Sequence, residues 1–90
     1  MIVKITDYGQ GEVNFVKYLV SGLSKEQLIF LDENLDEKTA VEGDNLLITA
    51  YFDEKLYPFQ SEVAKFRLDD FISREEIEMN VFLSSFLDDL

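Results

Sequence analysis

Glu12-Val13-Asn14-Phe15-Val16-Lys17-Tyr18-Leu19-Val20-Ser21-Gly22-Leu23 is the stretch on which the architecture turns. On a helical wheel Val13, Phe15, Val16, Leu19, Val20 and Leu23 share one broad arc, with Asn14, Lys17 and Ser21 opposite. That spacing predicts a helix ending near Gly22, a residue suited to a C-terminal cap. Upstream, Ile2 to Thr6 alternates apolar and polar residues and predicts a strand, followed by a turn at Asp7-Tyr8-Gly9-Gln10-Gly11. Downstream, Leu28-Ile29-Phe30-Leu31 reads two ways. As a short apolar run it suits a buried strand, whereas Ser24-x-x-Gln27 fits a capping box that would start a helix. The strand is the preferred reading, so the chain would begin strand–helix–strand.

Residues 32–45 read as an acidic loop, closed by Gly43-Asp44-Asn45. Leu46-Leu47-Ile48-Thr49-Ala50-Tyr51-Phe52 is the clearest strand, rich in β-branched and aromatic side chains. Asp53-Glu54-Lys55 turns the chain, and Pro58 removes a ladder donor, which points to an edge or a bulge. Residues 63–68 alternate again, with Ala64, Phe66 and Leu68 on one side. Ser73-Arg74-Glu75-Glu76 fits a capping box and starts a helix that lines up Met79, Phe82, Leu83, Phe86 and Leu90, with Ile77 and Val81 pointing elsewhere. The expected fold is a single compact α+β domain over residues 1–90. It has a three- to four-stranded, mainly antiparallel sheet with two helices packed on it.

Composition removes whole classes of chemistry. The 90 residues include 19 Asp and Glu against 8 Lys and Arg, for a formal charge of −11, and contain no histidine, cysteine or tryptophan. Without cysteine there is no disulfide scaffold, thiolate nucleophile or cysteine-based metal site. Without histidine there is no imidazole base, so Ser-His and Cys-His catalysis is excluded. No segment reads as a signal peptide or as the run of about 20 apolar residues that a membrane span needs, so a cytoplasmic protein is expected. Direct binding to nucleic acid or to an anionic membrane is disfavoured by charge repulsion.

The charge is segregated. Residues 32–44 hold Asp32, Glu33, Asp36, Glu37, Glu42 and Asp44 against Lys38 alone. Residues 69–90 hold Asp69, Asp70, Glu75, Glu76, Glu78, Asp88 and Asp89 against Arg74 alone, and the rest of the chain is neutral. The first block starts like a calcium loop, but Glu37 stands where that loop needs glycine and Gly43 where it needs a bidentate glutamate, so no metal site is expected. Ile5-Thr6-Asp7-Tyr8-Gly9-Gln10-Gly11 resembles the first strand and turn of class I glutamine amidotransferases. Those enzymes need a cysteine and a histidine, so the stretch is read as a tight turn alone. Adjacent pairs such as Asp69-Asp70 and Asp88-Asp89 point in different directions and do not form a convergent catalytic dyad.

Like charges within a Debye length, roughly 8 Å at physiological salt, repel, and a small fold tolerates them at a cost. Spaced carboxylates imitate a phosphate backbone and would meet the Lys/Arg-lined groove of a nucleic-acid-binding protein. The expected function is therefore a non-enzymatic inhibitor, without cofactor, of a nuclease or other DNA/RNA-handling protein. In size, acidity and lack of catalytic groups the chain resembles phage-encoded anti-defence factors of the anti-CRISPR or anti-restriction kind, which would act in the host cytoplasm. The binding residues would be the acids of 32–44 together with Asp69, Asp70, Glu75, Glu76 and Glu78, with Tyr51, Tyr57, Phe59, Ile77 and Val81 as apolar anchors. An immunity protein or antitoxin obeys the same electrostatics. A third reading is an adaptor domain that uses Ile77/Val81 or the Pro58 edge, with the pair also able to pack against a second copy of the chain.

Overall fold

The computed structural model describes residues 1–9, 14–52 and 68–90. They form β1 (Ile2–Gly9), β2 (Asn14–Ser21), α1 (Lys25–Asn34), β3 (Lys38–Glu42), β4 (Asn45–Phe52) and α2 (Leu68–Leu87). The four strands make one antiparallel sheet in the order β1-β2-β4-β3. Both helices cover the same face of it, so this is a two-layer α+β domain.

The stretch expected to be the first helix is the central strand β2. Its burial alternates strictly: Asn14, Val16, Tyr18 and Val20 are buried, whereas Phe15, Lys17, Leu19 and Ser21 are half-buried. Val16 and Val20 lie four residues apart, a spacing that satisfies a helical face and a strand face equally. Length and β-branched content break the tie in favour of a strand. Gly22 does take a left-handed conformation (φ +76°), but it turns the chain out of β2 toward α1.

The preferred strand over residues 28–31 is instead part of α1, and the capping box is its start. Ser24 Oγ accepts from the Gln27 amide at 3.1 Å, and Gln27 Oε1 accepts from the Ser24 amide at 2.9 Å. The acidic loop contains a strand too. β3 pairs with β4 across a two-residue turn, with Glu42 opposite Asn45 and Gly43 at φ +62°. A single positive φ at the first central position is the II′ pattern, whose twist matches antiparallel strands. Asp7, Tyr8 and Gly9, expected in a turn, continue β1 after a bulge between Ile5 and Asp7. Helix α2 begins at Leu68, upstream of Ser73, so Ser73 is an interior residue and not a cap. The expected features at Pro58, Tyr57 and Phe59 lie outside the described residues, as does the alternating stretch 63–68 except for Leu68, which belongs to α2.

The core is a seam between sheet and helices. Val16, Val20, Leu46, Ile48, Leu31 and Leu83 are fully buried, with Tyr18 only 2% exposed. The Phe30 and Phe86 rings, 5.6 Å apart and tilted, join α1 to α2 above it. The helices leave one sheet face uncovered, and by register that face carries Lys4, Lys17 and Lys38 with Asp7 and Glu42. At its end the Phe15 ring lies over Gly9, where any Cβ would collide with it.

Helix α2 also shields the edge strand β1. The Ile5 amide donates to Glu76 Oε2 at 2.8 Å, and Asn80 Nδ2 donates to the Met1 carbonyl at 3.4 Å. An edge amide left bare is a template for pairing with another chain, and a helix carboxylate occupies this one. Leu83→Ala is expected to cost about 2–5 kcal/mol in urea unfolding followed by circular dichroism, which for a domain of this size approaches the whole stability. Glu76→Ala is expected to cost about 1–2 kcal/mol, whereas Glu78→Ala, at an exposed position two residues on and so on a different side of the helix, should lie within about 0.5 kcal/mol of the parent.

Candidate functional site

The acidic residues fall at both ends of the helices, some favourably and some against the dipole. Asp69 and Asp70 occupy the first turn of α2, where negative charge complements the helix dipole. Asp32 and Glu33, by contrast, fall in the last turn of α1, and neither helix has a basic residue in its last turn. Asp36 and Glu37 follow the end of α1, and Asp88 and Asp89 follow α2. Carboxylates at the negative end of a helix each cost a few tenths of a kcal/mol, roughly 0.3–1 at low salt.

Among the described residues, the two acidic blocks meet between α2 and the end of β4. Glu37 from the first and Glu75 and Glu78 from the second line a cleft of about 310 Å³, over Tyr18 and Ala50 of the sheet. Met79 and Phe82 of α2 and Tyr51 and Phe52 of β4 complete its walls, with Phe82 44% and Tyr51 56% exposed. The field inside is negative. Burial pushes the Glu75 carboxyl above its ordinary value, and the Glu78 charge adds to the rise against the opposing Arg74. Burial likewise raises the Tyr18 hydroxyl, followed by the charges of Glu75, Glu78 and Glu37.

The other expected acids scatter around this centre. Asp32, Glu33 and Asp44 line a second groove of about 590 Å³ between α1 and the β3–β4 turn. Asp32 is already engaged there, accepting from Thr39 Oγ1 at 2.7 Å. Asp36 lies with Glu37 beside Lys38 and Thr49, and Glu42 is exposed on β3. Glu76 points away from the cleft to the β1 edge. The anchors Ile77 and Val81 are 64% and 61% exposed and, with Ile2, border a groove of about 440 Å³ between α2 and β1. Tyr57 and Phe59 lie outside the described residues.

Sequence reasoning missed Tyr18 and Phe82 as cleft residues. Alternation with Val16 and Val20 places Tyr18 under the helices once β2 is read as a strand. Among the described residues no group of three or more Asp or Glu side chains is arranged to hold a metal ion. No helix among them is long and apolar enough to cross a membrane.

The raised Glu75 carboxyl has a consequence for stability. Its protonated form favours the fold, so the contribution is complete below the ordinary value of 4.5 and is lost as the pH rises through the folded-state value. Glu75→Gln is therefore expected to raise the thermal midpoint at neutral pH, with the gap over the parent closing below about pH 4. A lower midpoint at neutral pH would show that the charge is needed by the fold.

No curated protein matches the chain. A family profile does match, over residues 2–89, and it is described only as a family of unknown function. With nearly its whole length matched, the chain belongs to the DUF5750 family.

Proposed function

We propose that the chain is a non-enzymatic binding protein that offers its acidic helix layer to the Lys/Arg-lined surface of a nuclease or other DNA/RNA-handling protein and blocks it by competition. The observation that carries this reading is the meeting of Glu37 with Glu75 and Glu78 in one cleft, which joins two acidic blocks far apart in the chain. Their surroundings support it. By register Lys4, Lys17 and Lys38 share the uncovered sheet face with Asp7 and Glu42. The two helices carry Asp32, Glu33, Asp69, Asp70, Glu75, Glu76 and Glu78 against Lys25 and Arg74, so the helix layer is the more negative side. Such a polarity steers encounter with a basic groove and orients the inhibitor as it arrives. Solubility alone does not require acids at the negative ends of both helices, where they work against the fold.

The exposed Ile77 and Val81 favour a second reading, an adaptor that docks through the α2–β1 groove. One experiment separates the two. Partners are captured from lysate at low and at high salt, and each captured protein is then challenged with duplex DNA. Charge mimicry predicts a basic nucleic-acid-binding protein that is released by salt and displaced by DNA. It also predicts that Glu33→Lys/Asp36→Lys and Glu75→Lys/Glu78→Lys each weaken binding at least about tenfold with the fold retained. A nuclease whose binding ignores DNA outside its active site would assign the immunity-protein role instead. Binding that survives both charge reversals and fails on Ile77→Asp or Val81→Asp would overturn mimicry in favour of the adaptor.

A further inference from the structure

We propose that the cleft between α2 and the end of β4 is a receptor for one arginine side chain, projected into it from the basic surface of a protein partner. This rests on the reading above and names the chemistry of its centre.

Three features select a guanidinium. Glu37, Glu75 and Glu78 stand around the cleft from two separate parts of the chain and can accept N–H donors from different directions. Tyr18 lies beneath them, 2% exposed yet lining the cleft, and no hydrogen bond to its hydroxyl occurs among the described residues. Its hydroxyl is therefore open to a hydrogen bond with a group that enters the cleft. Between these polar groups the walls are apolar and aromatic, from Phe52, Met79 and Phe82. Guanidinium is planar, weakly hydrated and stacks on aromatic faces, and a three-carbon stem can lie along methionine and phenylalanine. The volume of about 310 Å³ is at the lower end of ordinary ligand pockets and suits a side chain better than a folded element.

The same features disfavour the alternatives. A lysine ammonium is compact and strongly hydrated, so it gains less from aromatic walls. A divalent cation needs converging oxygens, and these glutamates do not form a metal-ligating group among the described residues. Free arginine brings an α-carboxylate into a field of three anions, whereas an arginine held in a polypeptide does not. The cation therefore comes from a protein.

N-acetyl-arginine methylamide reproduces that side chain without terminal charges. It is titrated into the isotopically labelled full chain and followed by NMR, with N-acetyl-lysine methylamide as comparison. Saturable shifts are expected at Tyr18, Met79 and Phe82, with the lysine compound at least about fivefold weaker. Glu75→Gln/Glu78→Gln should weaken binding about tenfold or more, and Tyr18→Phe about threefold or more. Glu33→Gln, in the other groove, should leave it unchanged. Shifts that fail to saturate, that spread evenly over Asp32, Asp88 and Asp89, or that survive Glu75→Gln/Glu78→Gln overturn the pocket. So does equal binding of the two compounds. If the arginine compound fails here while Glu33→Lys/Asp36→Lys still abolishes DNA-competable partner binding, the acidic-surface reading stands and only the pocket falls. If it binds here but no DNA-competable partner is found, the pocket stands and the mimicry reading falls.

Discussion

A sheet covered on one side only must decide which row of side chains goes inward, and β2 makes that decision for the whole molecule. Val16, Tyr18 and Val20 face the helices, opposite Ala50, Ile48 and Leu46 of β4. Leu31 and Leu83 then close the seam from above. A slip of one residue would exchange Tyr18 for Lys17 and turn every neighbouring strand inside out, so burial of these three side chains holds the register. The cleft inherits its geometry from that choice. Its floor is Tyr18, and Glu37 reaches it because β3 pairs with β4 in the same ladder.

Parts of this arrangement could be read from the residues alone, and the exceptions have physical causes. The α+β class, the strand over residues 46–52, the capping box at Ser24 and the off-face position of Ile77 and Val81 are all visible in local pattern. β2 was hidden because valines four apart fit either periodicity. α1 was mistaken because its apolar run is only four residues long, and its cap was the better evidence. β3 carries two charged residues among five and pairs only because Gly43 permits a tight turn. The acidic blocks are obvious in the sequence, but their junction is not. It depends on sheet register and on which side of α2 each glutamate takes, and neither is a local property.

The helix layer carries charge that works against the stability of a small domain. The Glu78 charge adds to the cost of ionising the half-buried Glu75, and Asp32, Glu33, Asp88 and Asp89 oppose the dipoles of the helices they close. The fold tolerates this because its core is complete on one face and because α2 contributes apolar contact along most of its length. A partner bearing positive charge would relieve the strain it meets, so complex formation and fold stability are linked in the same direction.

The carboxylate of Glu76 on the β1 edge has one more implication. Mutual repulsion between copies rests on the net charge of −11, whereas the shielding of that edge amide rests on one side chain. The isoelectric point is about 4.1, inside the range where carboxylates take up protons. Near that pH the copies lose the repulsion that keeps them apart, and the β1 border is protected only by the side chain laid across it. A chain that lost that side chain as well would offer a bare strand border for edge-to-edge stacking just where repulsion no longer prevents contact.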